Sequence, residues 1–194
     1  MTGRASLQLA KALRAQQTKL RAQERETPRE YLDRESHYVW GRRCLLKLVE
    51  RTATPSVEWR HNRLTLQVRP GTKPARRAEI LDAWYRNQLR AAATPLIALW
   101  QKRLKVQPSG LFVQRMRTRW GSCNATAGTV RLNTDLAKKP RECLEYILVH
   151  ELAHLIEPTH NARFVALMDR YLPGWPHRRD QLNRLPVRHD DWTY

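Results

Sequence analysis

The stretch HELAHLIEPTH, from His150 to His160, concentrates three histidines and a carboxylate where they can do chemistry together. On a helix, His150 and His154 are four residues apart and project from one face, about 6 Å apart along the axis. That separation lets two imidazole nitrogens meet on one ion at about 2 Å each, as a zinc ion requires. Glu151, next to His150, is angled to reach a water on such an ion without displacing it. In a random ordering of this composition the pattern H-E-x-x-H arises in about one chain in seventy, and with a further His six positions on in about one in two thousand.

A catalytic zinc takes a third protein ligand and keeps one position open. Glu157 and His160 are the candidates. Glu157 lies seven residues after His150, about 10 Å along the same helix, too far for easy convergence. His160 lies beyond Pro158, where the chain can turn back, and is the better third ligand. Two plainer readings compete: a helix with surface histidines and a solvated glutamate, and a closed structural zinc site with Cys123 or Cys143 as fourth donor. The second would leave Glu151 without a task.

The rest of the chain bounds the class of protein. Its 194 residues are 41% apolar and include seven Trp, enough for one sizeable core. The net charge of +18 comes from 36 basic against 18 acidic side chains, a surplus that favours polyanions such as DNA or RNA. Three cysteines with no C-x-x-C spacing, no secretory hydrophobic stretch and no segment long enough to span a bilayer imply a reduced, cytoplasmic setting and no membrane partner.

The elements that must position the site can be read from spacing. Residues 1–30 are expected to form a basic helical arm. Residues 31–73 carry short β-prone runs, HYVW, RCLLKLVE, SVEWR and RLTLQVR, separated by turn signals, which read as an antiparallel β-meander. Residues 74–186 hold a long helical pattern from Ala75 to Leu104 that Pro95 must kink or split. Strands at 111–120 and 128–133 follow, then a helix after Pro140 that runs to about Glu157, a helix over 160–172 capped by Thr159, and a short helix at 177–185. Residues 187–194 are a tail. The class is α+β.

These residues, with RMRTRWGSCN (115–124), GTVRLN (128–133), YILVHELAHL (146–155), HNARF (160–164) and LPGW (172–175), resemble the YgjP-like zinc metallopeptidase family, which is related to the SprT-like and Wss1-like proteases. The resemblance implies a minimal zincin-like catalytic domain with a small sheet and an H-E-x-x-H helix. It also implies one zinc ion per chain held by His150, His154 and His160, with Glu151 as general base.

The expected activity is hydrolysis of peptide bonds in a protein or peptide substrate by a zinc-activated water. On a strand over 111–120, Arg115, Arg117 and Arg119 would share one face opposite Met116, Thr118 and Trp120, and an extended peptide would dock there, with the arginines and Trp120 as candidate substrate contacts. Tyr171 and His177, with Tyr146, are candidate transition-state stabilisers. Asn133 is expected to organise the loop before the active helix, with Thr134 or Asp135 as its cap, and Gly121 to serve a turn. Two other functions fit less well: a metal-dependent nucleoside triphosphate pyrophosphohydrolase, which needs clustered carboxylates, and a non-catalytic nucleic-acid-binding protein with structural zinc, which has no use for Glu151.

Overall fold

The computed structural model describes residues 28–186. The tail at 187–194 and the arm up to residue 27 lie outside the described residues. In order, the elements are β1 (Ser36–Val39), β2 (Arg42–Glu50), β3 (Ser56–Arg60), β4 (Arg63–Val68), α1 (Pro74–Leu104), β5 (Gly110–Gln114), β6 (Gly121–Asn124), β7 (Thr129–Asn133), a 3-10 helix (Thr134–Lys138), α2 (Arg141–Ala153), α3 (Ala162–Tyr171) and α4 (Trp175–Arg184). The α+β class is as expected, and among these residues no helix is long and apolar enough to cross a membrane.

The N-terminal sheet has the order β1-β2-β4-β3, so it is not the sequential meander that the spacing suggests. Two antiparallel hairpins are joined by a parallel pairing of β2 with β4, in the register Leu46 to Leu64 and Leu48 to Leu66. Side-chain burial explains the order. In β4, Leu64, Leu66 and Val68 are fully buried, whereas β3 has only half-buried Val57 and Trp59 on its inner face, so β4 takes the interior position and β3 the edge. At the β1–β2 turn both Trp40 (φ 50°) and Gly41 (φ 78°) have positive φ, which matches the twist of a tight hairpin. This turn donates Trp40 N–H to Ala137 O and Gly41 N–H to Lys138 O, tying the first sheet to the 3-10 helix.

Helix α1 presents Leu81, Tyr85, Leu89, Ala93, Trp100 and Leu104 to the core at helical spacing. It runs through Pro95 as one helix of 31 residues instead of splitting there. The second sheet has the order β5-β7-β6, with β5 parallel and β6 antiparallel to β7. The strand expected over 111–120 therefore stops at Gln114, and residues 115–120 form a loop.

Helix α2 is packed on almost every side: Cys143, Leu144, Tyr146, Ile147, Leu148, Val149 and Leu152 are all buried. Glu145 braces it to its surroundings. The Trp100 indole N–H donates to Glu145 Oε1 at 3.1 Å and the Arg178 guanidinium to Oε2 at 2.6 Å, so one carboxylate ties α1 and α4 to the central helix. Removing it leaves the N–H of the buried Trp100 indole and a cation without their acceptor, and Glu145→Ala is expected to cost about 2–3 kcal/mol. Glu145→Gln, which keeps an acceptor, should cost about half that. Urea denaturation midpoints measure both, and equal midpoints for wild type and Glu145→Ala would contradict the brace.

Candidate metal centre

The chain reverses immediately after α2. The helix ends at Ala153, earlier than the expected Glu157, because Leu155 N–H, Ile156 N–H and Glu157 N–H bond back to Leu152 O and Ala153 O in a tightened last turn. The Glu157 carboxylate then accepts from Thr159 Oγ1 at 2.8 Å and from Thr159 N–H at 3.3 Å, and these bonds hold its pKa below the usual carboxylate range. Asn161, and not Thr159, caps the next helix: its side chain accepts from Phe164 N–H at 3.0 Å.

This reversal brings His160 against the two histidines of α2. His160 Nε2 lies 3.0 Å from His150 Nε2 and 3.1 Å from His154 Nε2. Nitrogens at that mutual spacing suit ligands sharing one ion at about 2 Å. Among the described residues no other group of histidines, cysteines and carboxylates converges in this way. The buried Phe164 ring floors the cluster, with its centroid 4.9, 4.6 and 4.8 Å from those of His150, His154 and His160.

Electrostatics favour neutral rings. Burial, then the neighbouring imidazoles, push His150 well below its ordinary value. Burial takes His154 down to about 4 against the opposing hydrogen bond to the Glu157 carbonyl, and it lowers His160 as well. His154 Nδ1 lies 3.1 Å from Glu157 O, so a proton there fixes the tautomer and leaves Nε2 as a lone pair. Three neutral imidazoles with converging Nε2 atoms are a donor set that fits a zinc ion, the metal typical of such sites.

Glu151 faces the same groove, a space of about 430 Å³ lined by Arg119, Gly121–Ala125, His150, Glu151, His154, Pro158 and His160. Burial raises its carboxyl to about 8, opposed by the charge of Arg119. Gly121 belongs to β6 and not to a turn, and its role is close approach. A Cβ there would sit 2.7 Å from Glu151 Oε1 and 2.8 Å from Ile147 Cγ2. Asn133 Nδ2 donates to both Met116 O and Arg119 O at 2.8 Å, clamping the loop that leads into β6.

The structure divides the other candidates. Arg119 lines the groove; Arg115 and Arg117 do not. Trp120 is 5% exposed and lies beneath Lys139, so it packs and offers no substrate surface. Tyr171 and His177 do not line the groove either. Tyr146 is buried between His150 and Trp175, its hydroxyl raised to about 12 chiefly by burial. Thr134 and Asp135 sit in the 3-10 helix and leave the start of α2 to Pro140. Cys143 points to Gln181, whereas Cys123 lines the groove. Phe164, Gly121 and the double bond of Asn133 carry more of the site than spacing alone revealed. The sequence marks Asn133 as a loop organiser and Gly121 as a turn residue, and Phe164 only by its place in HNARF.

An α+β fold whose central helix presents H-E-x-x-H beside a third histidine is that of a metallopeptidase. The YgjP-like metallopeptidase domain matches residues 7–185, and the chain belongs to that family, a family of hydrolases. Among solved structures it is similar to the zymogen of abylysin from Pyrococcus abyssi, at 23% identity over 48% of this chain and 98% of that one, with a TM-score of 0.43. It is also similar to the zymogen of jannalysin from Methanocaldococcus jannaschii, at 20% identity over 46% of this chain and 91% of that one, with a TM-score of 0.41. No curated protein matches the sequence significantly.

Two outcomes follow from the packing around Glu151. Gly121→Ala should displace the carboxylate or the strand and cost about 1–3 kcal/mol, read from denaturation and from a shifted Glu151 in a crystal structure. An unmoved carboxylate at wild-type stability would contradict the close approach. The second concerns pH. In chelator-treated protein the unfolded chain loses the Glu151 proton near 4.5 and the folded protein near 8. The folded state is therefore unpenalised below about 4.5 and loses stability as pH rises to about 8. Glu151→Gln should gain on wild type across that window, by a total on the order of 5 kcal/mol. Thermal melts of the two stripped proteins from pH 4 to 9 check it, and parallel curves would contradict it.

Proposed function

We propose that the protein is a zinc-dependent peptidase in which His150, His154 and His160 hold one zinc ion, Glu151 is the general base, and a protein or peptide substrate lies along the open edge of β6. The observation that carries this reading is the convergence of three histidines, with His160 Nε2 3.0 and 3.1 Å from the Nε2 atoms of His150 and His154, on a groove into which Glu151 also faces. Bound zinc would supply a Lewis acid for the scissile carbonyl and acidify water at the open position. The chain's own groups do the remainder. Phe164 keeps water from the back of the histidines, and the Glu157 carbonyl orients His154.

Glu151 takes a proton from the attacking water and delivers it to the leaving amine. Burial raises the proton affinity of its carboxyl and the nearby Arg119 cation opposes that rise. Among the described residues only β7 pairs with β6, which makes it an edge strand there, so an extended peptide can add to it through backbone hydrogen bonds. This moves the docking strand from 111–120 to 121–124.

The groove does not favour nucleotide hydrolysis. Among the described residues Glu151 is the one carboxylate lining it, Asp135 is paired with Lys138 at 2.9 Å, and Glu145 is taken by Trp100 and Arg178. Magnesium-nucleotide chemistry asks for clustered carboxylates. The net charge of +18 supports work close to nucleic acid, and three unpaired cysteines, each raised to about 11 by burial, support a reducing, cytoplasmic setting.

Zinc-loaded protein should cleave casein and leave nucleoside triphosphates intact. Glu151→Gln should keep one zinc per chain and lose about 10³-fold in peptide turnover, whereas His160→Ala should lose the metal. Triphosphate hydrolysis with intact casein, or a fully active Glu151→Gln protein, would overturn the proposal.

A further inference from the structure

We propose that Arg119 is a specificity residue that binds a carboxylate on the leaving-group side of the substrate, within about two residues of the scissile bond. This rests on the peptidase reading above. Arg119 lines the groove together with Glu151 and the histidines. Among the described residues no hydrogen bond or close ion pair engages its guanidinium, which acts on Glu151 through its charge alone, unlike Arg77, Arg178 and Arg163, each of which faces a carboxylate at 3.9 Å or less. Its backbone is fixed, since the Asn133 side chain donates to Arg119 O at 2.8 Å and Asn133 N–H donates to the adjacent Trp120 O at 2.9 Å. A guanidinium that is anchored at its root and unpaired at its tip is built to accept an anion in a two-pronged manner.

Direction along the groove assigns the anion to one side of the scissile bond. Glu151 packs against Gly121, the first residue of β6. The base hands its proton to the leaving amine, so the amine side of the scissile bond lies at that end of the strand. A peptide paired with β6 then runs antiparallel to it, and the residues after the scissile bond continue toward Arg119, two positions before Gly121. Arg119 stands in the loop that enters β6, so its guanidinium meets the first one or two residues after the bond. The carboxylate comes from an acidic side chain or from the substrate's own C-terminus.

The test uses zinc-loaded full-length protein and quenched fluorescent peptides that differ in one residue, Asp or Asn, placed at each of two positions before and two after the cleaved bond. A second pair ends two residues after the bond, with a free or an amidated terminus. Asp after the bond should exceed Asn in kcat/KM by about 10- to 100-fold, with no such gain before it. If the free terminus is the source, the gain appears in the second pair alone. In Arg119→Gln the ratio should fall to near one, in Arg119→Lys it should be partly kept, and in Arg119→Glu a Lys peptide should overtake the Asp peptide. Fluorescence anisotropy of the same peptides on the Glu151→Gln protein reads the preference in binding alone, so the outcome for Arg119 stands apart from whether any peptide is cleaved. Indifference to both carboxylate sources in wild type, a preference located before the bond, or a preference that survives Arg119→Gln would overturn the proposal.

Discussion

Between His154 and Phe164 the chain stops one helix, turns, and starts another, and the contact of three imidazoles with one phenyl ring is what that reversal achieves. It is secured locally. The last turn of α2 closes back on Leu152 and Ala153, the Glu157 carboxylate gathers the Thr159 amide and hydroxyl, and Asn161 caps α3 so that Phe164 arrives under the histidines. Burial then strips the rings of their protons, which turns a cluster of cations at mildly acid pH into a cluster of lone pairs. A site that binds a dication by nitrogen needs that change, since protons and metal compete for the same atoms.

The second constraint is how close α2 comes to β6. With no side chain at position 121, the strand lies near enough for Glu151 to be enclosed while its carboxylate still faces the groove. The rest of the fold holds α2 still. Its apolar residues are buried on nearly all sides and Glu145 braces it to α1 and α4. Positions that bear reacting groups are thereby placed on a helix with little freedom to shift, and the variable parts of the site fall to the edge strand and the loop before it.

Local periodicity made the helices and the histidine motif legible. His150 and His154 share a face whatever surrounds them, and Leu144, Ile147, Leu148 and Leu152 recur at helical spacing and are all buried. Non-local pairing was not legible. The order β1-β2-β4-β3 depends on β4 burying its inner face more fully than β3, a comparison between strands that no single run of residues displays. The alternation in RMRTRW resembled a strand, yet two hydrogen bonds from Asn133, more than a dozen residues away, hold those residues as a loop. Tyr171 and His177 were named by residue type alone, and the way their helices pack leaves both off the groove.

The claim on which the rest hangs is that nitrogen alone, from three side chains, fills the protein's share of the metal's coordination. X-ray absorption at the zinc edge of protein loaded with one equivalent of zinc tests it most directly. The account predicts three histidine nitrogens at about 2.0–2.1 Å and one oxygen scatterer, with no sulfur. A sulfur shell at about 2.3 Å, which would bring in Cys123 and close the open position, would contradict it.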